Sequence, residues 1–239
     1  MLLYLIIALM ALIGGTVQGV AGFGAGPVDM MVLPFFFPVN EAVGINAALC
    51  VGLNILMLSH YHSYVNFKKV LTAALLYVTV SASMIFCSKY IDQDFMKHVL
   101  GVFLIVLSLY YLFFSKKEEK ELTRARSVIY LLVSGACDGL FGIGGPLMSI
   151  YFLKKTSSKE EYLGTIQTLF LISLGYGTIV RIFTGILTAA HAPYIGIGLV
   201  FILIGGWIST KIVDRIDADK MKKIIYILIG ITGIINVFR

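Results

Sequence analysis

The chain of 239 residues is 59% hydrophobic and only 13% charged, with a mean hydropathy of +0.92. Soluble domains carry roughly 25% charged residues, so this composition cannot build a water-facing exterior and the lipid bilayer must be the solvent. The net charge of +6 would suit nucleic acid if the basic residues shared one polar face. They sit instead in short loops beside apolar runs, which points to membrane topology and to no nucleic-acid partner.

In chain order, Met1 to Gly15 is apolar but lacks the basic start of a secretory signal, and is read as part of the mature protein. A glycine-rich segment follows, from Gly15 to Gly26. Three apolar spans come next, Ala42 to Ser59, Val70 to Ser88 and Val99 to Ser115, each near the 17 to 25 residues of a membrane helix. Residues 116–126 form a charged cytoplasmic linker between a first transmembrane repeat, 1–115, and a second, 127–239. The second repeat opens on another glycine-rich segment, Gly135 to Pro146. Its spans are Leu163 to Leu187, Pro193 to Thr210 and Ile224 to Phe238. Cys50, Cys87 and Cys137 lie in apolar surroundings without ligand spacing, so no disulfide framework, metal site or cofactor is expected.

The repeat is visible residue by residue. Gly15, Gly19, Gly22 and Gly24 recur 120 positions later at Gly135, Gly139, Gly142 and Gly144, followed by Gly26-Pro27 against Gly145-Pro146. Gly44 falls opposite Gly164, and the helix starts at Asp94 and Asp219 correspond. The apolar arms flanking each glycine cluster look too short to cross, about 15 and 11 residues in the first half against the roughly 20 required. Each cluster is therefore expected to be a re-entrant or broken helical hairpin. Three crossings per half then place fifteen of the 19 basic residues on one side, which the positive-inside rule makes cytoplasmic. The expected fold is an all-α polytopic membrane protein of two inverted repeats, each a glycine-rich hairpin plus three transmembrane helices, with both termini outside.

A helix broken inside hydrocarbon exposes backbone N–H and C=O groups, which survive only where protein or a wet cavity covers them. Two breaks related by a repeat suggest one shared cavity, into which helices restarting after Gly24 and Gly144 would aim free N–H groups and positive dipole ends. The expected guest is a small anion, held by Gly22, Gly24, Gly26, Gly142, Gly144 and Gly145. The competing explanation is that small residues merely let helices pack. Arg181, the only basic residue inside a span, is a candidate counter-charge or a snorkelling side chain. Asp138, opposite Gln18 in the repeat, is either a gating carboxylate or a helix cap. Asp29 has no acidic counterpart in the second half and is expected either to face the cavity or to reach the interface. Asn46, Asn54 and Gln167 either line the path or bond neighbouring helices. His60 and His62, beside Tyr61 and Tyr64, fit an interfacial aromatic belt.

The runs Gly15-Thr-Val-Gln-Gly-Val-Ala-Gly-Phe-Gly-Ala-Gly26 and Gly135-Ala-Cys-Asp-Gly-Leu-Phe-Gly-Ile-Gly-Gly145 resemble the duplicated signature of the sulfite exporter TauE/SafE family. The resemblance implies a multi-pass transporter of sulfite, organosulfonates or similar sulfur anions in the cytoplasmic (inner) membrane. No ATPase motif is present, so an ion gradient or the substrate's own gradient must drive it. The alternatives are a proton- or cation-coupled antiporter using Asp29 and Asp138, or a channel. An enzyme is disfavoured because no nucleophile and base pair and no metal-ligand spacing stand out. Lipid and the anion are the expected partners, with a homodimer as a candidate assembly.

Overall fold

A computed structural model describes residues 1–113, 122–212 and 218–238, with backbone alone for 218–222, 224 and 225. Most of the expected linker, 116–126, thus lies outside the described residues. The described residues form ten α-helices and three 3₁₀ turns, with no strand. The first half contains α1 (Leu2–Ala21), α2 (Ala25–Val32), α3 (Val39–Tyr61), α4 (Phe67–Ser88) and α5 (Gln93–Phe113). The second repeats the order as α6 (Arg124–Phe141), α7 (Gly145–Leu153), α8 (Lys159–Phe183), α9 (Ala192–Ile212) and α10 (Ala218–Phe238). Among the described residues six helices are long and apolar enough to cross a membrane: α1, α3, α4, α5, α8 and α9. The chain is a multi-pass membrane protein.

The helix starts follow ordinary capping. Asn66, Thr123 and Ser158 accept hydrogen bonds from Lys69, Arg126 and Glu161 N–H groups, and Asp92 does the same for Phe95. Each satisfies a donor that the first turn leaves orphaned. One expectation needs correction. The first arm is not 15 residues, because α1 continues through Gly15 and Gly19 to Ala21 and reaches spanning length. A glycine inside an apolar helix weakens it by only about 1 kcal/mol, and here the neighbouring helix compensates. In the second half α6 likewise runs through Gly135 and Gly139, and α8 ends at Phe183, four residues before the expected boundary, in a turn at Gly185.

Helix pairing exchanges elements between the halves. α1 packs along α9, where a Cβ on Gly15 would strike the Ile202 carbonyl and one on Gly19 the Ser209 side chain. α6 packs along α4 in the equivalent way, with Gly135 against the Tyr77 carbonyl and Gly139 against that of Ser81. Missing Cβ atoms thus let backbones touch, as small residues do between membrane helices. α3 and α8 run antiparallel: Gly44, near the start of α3, meets Arg181 and Leu187, while Gly164, near the start of α8, meets the Tyr61 carbonyl and Val65. α5 and α10 are also antiparallel, with Gly101 against Gly233 and Ser108 against Gly230.

Replacing Gly15 by Leu should cost several kcal/mol of overpacking, more than the usual 1 to 3 kcal/mol because backbone must move. A detergent melting experiment should show a clear loss of thermal stability, whereas Gly196→Leu, where an added Cβ meets nothing within 4 Å, should melt like the parent.

Candidate functional site

Each glycine cluster is a helical turn-back. α1 stops at Gly22, whose φ of 81° puts it in the left-handed region and whose N–H closes on the Gln18 carbonyl at 2.7 Å. α6 stops at Gly142 with φ 65°, closing on the Asp138 carbonyl at 2.8 Å. L-residues with a side chain rarely adopt such angles, which is why glycine ends both helices. The chain then folds back. Gly24 lies against Val17 and Gln18, and Asp29 lies against Gly14. In the second half Gly144 lies against Ser134 and Asp138, and the Ser134 hydroxyl donates to the Gly144 carbonyl at 2.5 Å.

The two turn-backs meet. A small cavity of about 20 Å³, room for roughly one water, is lined by Gln18, Gly24, Gly26, Asp138, Gly142, Gly144 and Gly145. Phe23, Pro27, Cys50, Phe170 and Leu174 complete it. The short helices α2 and α7 both begin at this cavity. The first N–H groups of any helix lack a partner within it, and the dipole end there is positive. No basic side chain reaches the lining, and its one carboxylate is that of Asp138.

Behind the lining, each half satisfies the other's break. Gln167 on α8 donates to the Gly22 carbonyl at 2.9 Å, and Asn46 on α3 donates to the Gly142 carbonyl at 3.3 Å. Gln18 donates to Asn54 at 2.7 Å and to Gln167 at 3.2 Å, while its own carbonyl accepts from Ala25 N–H at 3.3 Å. The Tyr162 hydroxyl donates to the Ala21 carbonyl at 3.1 Å. Asn46, Asn54 and Gln167 are completely buried. They therefore bond neighbouring helices and do not line the cavity, and Gly22 stands back with them.

Three other residues carried alternative expectations. Arg181 is buried at 3% exposure, so it does not snorkel; its guanidinium donates to the Gly139 carbonyl at 2.8 Å and to that of Gly177 at 3.3 Å. It does not line the cavity, and it stands within electrostatic reach of Asp138. Asp138 is no helix cap, because it lies in the last turn of α6 and its carboxylate accepts from Ser173 at 2.6 Å and from Ser81 at 2.9 Å. Asp29 is fully buried against Gly14 and away from the lining.

The sequence reading missed Phe23, Pro27, Cys50, Phe170 and Leu174. Some signals for them exist. Phe23 lies inside the first glycine run, Cys50 shares the helical face of Asn46 and Asn54, and Phe170 and Leu174 follow Gln167 at helical spacing. Ser81 and Ser173, the partners of Asp138, carry no signal short of three-dimensional packing.

Membrane-length helices with two interrupted segments that line one cavity are the architecture of a multi-pass membrane transporter. The chain belongs to the sulfite exporter TauE/SafE family, which matches residues 7–235. Neither the curated proteins nor the solved structures compared with it contain a match.

The cross-half amides carry a measurable load. Asn46→Leu and Gln167→Leu should each destabilise the protein by about 1 to 3 kcal/mol, the cost of a buried carbonyl left unpaired. Because each amide serves a different break, melting in detergent should show losses of similar size for the two variants.

Proposed function

We propose that this protein is a secondary transporter that exports a small sulfur-containing anion, such as sulfite or an organosulfonate, by alternating access across the cytoplasmic membrane. The observation that carries the reading is the convergence of the α2 and α7 starts on one cavity. Backbone N–H groups there suit an oxyanion because they accept charge density without adding a mobile cation, and missing Cβ atoms allow close approach. Family membership supplies the chemical class. Asp138, the one ionisable carboxylate in the lining, opposes an anion; two hydroxyl donors and the neighbouring Arg181 charge offset it.

The halves are read as inverted through the bilayer plane. Antiparallel packing of the repeat-related pairs α3 with α8 and α5 with α10 supports this, because equivalent helices in parallel repeats would run the same way. The cavity is smaller than a sulfur oxyanion, so passage requires the hairpins to part on one side at a time. Two latches fit that motion. Glu41 in the first turn of α3 accepts from His191 Nε2 at 3.0 Å. Glu161, 120 residues later in the first turn of α8, accepts from Lys69 Nζ at 2.6 Å and Asn66 Nδ2 at 3.0 Å. Antiparallel α3 and α8 put these latches at opposite ends of the pair, each joining one half to the other.

Thermal-shift measurements on purified protein should show stabilisation by sulfite, thiosulfate or sulfoacetate beyond that of chloride or sulfate, since a ligand of the folded state raises the melting temperature. Gly24→Val and Gly144→Val should reduce flux in proteoliposomes at least tenfold while membrane insertion, which depends on span hydropathy, persists. Normal transport in both variants would move the site elsewhere. Glu41→Gln and Glu161→Gln should open the protein toward opposite sides. With Cys87 and Cys137 removed, Cys50 should become reactive to an impermeant thiol reagent from one face in the first variant and from the other face in the second.

A further inference from the structure

The two buried carboxyls near the hairpins are in contrasting states. Asp138 has two hydroxyl donors and a guanidinium within reach. Asp29 has none: it is 0% exposed and neither carboxyl oxygen has a hydrogen-bond partner. It caps nothing, since α2 begins at Ala25 and has passed its first turn by this residue. It is also tightly enclosed, because a Cβ on Gly14 would stand 3.0 Å from Oδ1. Among the described residues, no basic side chain of the helices packed against α2 is paired with Asp29. α1 carries no charged side chain, and its one titratable residue, Tyr4, is stacked on Tyr194 at the far end. α3 contributes Cys50, within electrostatic reach of both Asp29 and Asp138, while its Glu41 is committed to His191 and His60 lies near its far end. Among the described side chains of α10 the titratable group on this side is Tyr226, which lies by Pro27.

An ionised carboxylate without donor or cation is costly to bury, whereas the neutral acid is tolerated. In the closed arrangement Asp29 makes no bond that would hold the structure. Its hairpin is also one of the two that must part for a guest to reach the cavity. We infer that Asp29 is the proton-exchanging group of the transporter, binding one proton as the α1 to α2 hairpin closes and releasing it to water when the hairpin opens. This rests on the alternating-access reading above and adds the coupling ion. The step balances simply: carboxylate and a water-borne proton give the acid on closure, and opening reverses it. Asp138 stays fixed by its serines and takes no part in the exchange. Because closure takes up a proton, rising pH favours the open hairpin, and the effect vanishes when the carboxyl is replaced by an amide.

Hydrogen exchange of the α2 amides provides a test that needs no substrate. After correction for the intrinsic pH dependence of exchange, protection of residues 28–32 in the parent should fall with rising pH by as much as about tenfold per unit, the slope of one linked proton. Asp29→Asn and Asp29→Ser should fold at least as stably as the parent, because no hydrogen bond is lost, and should show a flat corrected profile. An unchanged pH slope in a folded variant would overturn the inference. So would loss of the fold in both variants, since the carboxyl would then be holding the structure. The second arm uses thiosulfate, whose charge is constant through the neutral range. A pH gradient should drive its accumulation in proteoliposomes of the parent, and Asp29→Asn should keep downhill flux without that drive. A proton-linked hairpin that moves no sulfur anion in any condition would retain the linkage and remove the transport reading.

Discussion

The backbone polar groups exposed where a helix stops inside an apolar interior govern this structure. Water cannot satisfy them there, and each left unpaired costs several kcal/mol in hydrocarbon. Gln167 and Asn46 meet that requirement across the two halves, each bonding a glycine carbonyl of the other repeat. Each break thus depends in part on the other half, while Gln18 and Ser134 bond backbone within their own hairpins. The same dependence explains why buried amides cluster on α3 and α8, the two helices that face both hairpins.

Glycines that look equivalent in a repeat perform three different tasks. Gly15, Gly19, Gly135 and Gly139 leave space for a neighbouring helix, so that α1 and α6 lie against backbone on α9 and α4. Gly22 and Gly142 turn the chain through a left-handed angle. Gly24, Gly26, Gly144 and Gly145 line the cavity. Packing, posed as the rival of binding for one motif, operates at the first of these glycines, and the cavity-lining ones lie a few residues further along the chain.

The duplication is approximate where the chemistry is. Gln18 occupies the position that Asp138 holds in the second half, Leu53 stands opposite Ser173 and Tyr61 opposite Arg181. Neutral amides reach both hairpins, and the second adds an ionic cluster of Asp138 and Arg181. Asp138 lines the cavity, whereas Asp29, beside the first hairpin, lies away from the lining.

Much of this was legible in the sequence because its cause is local. Hydropathy alone sets the solvent, and span length follows from bilayer thickness, so α3, α4 and α9 were found to within a few residues, while α5 begins at Gln93, ahead of the expected Val99. The glycine register at an offset of 120 identified the duplication and the family, because turns requiring positive φ leave a residue-specific mark. The extent of α1 was not legible: whether a glycine ends a helix or seats a neighbour depends on what lies opposite, and Ile202 and Ser209 are nearly two hundred residues away. The same holds for the charged and amide side chains. Arg181 was open between a counter-charge and a snorkelling side chain, and packing turned it to two carbonyls; Asp138 found Ser81 and Ser173; Asp29 found no hydrogen-bond partner. A side chain's type states which bonds it can make, but only the tertiary arrangement decides which partners come within three ångströms, and in a dry interior that choice determines whether the group holds the fold or is free to act.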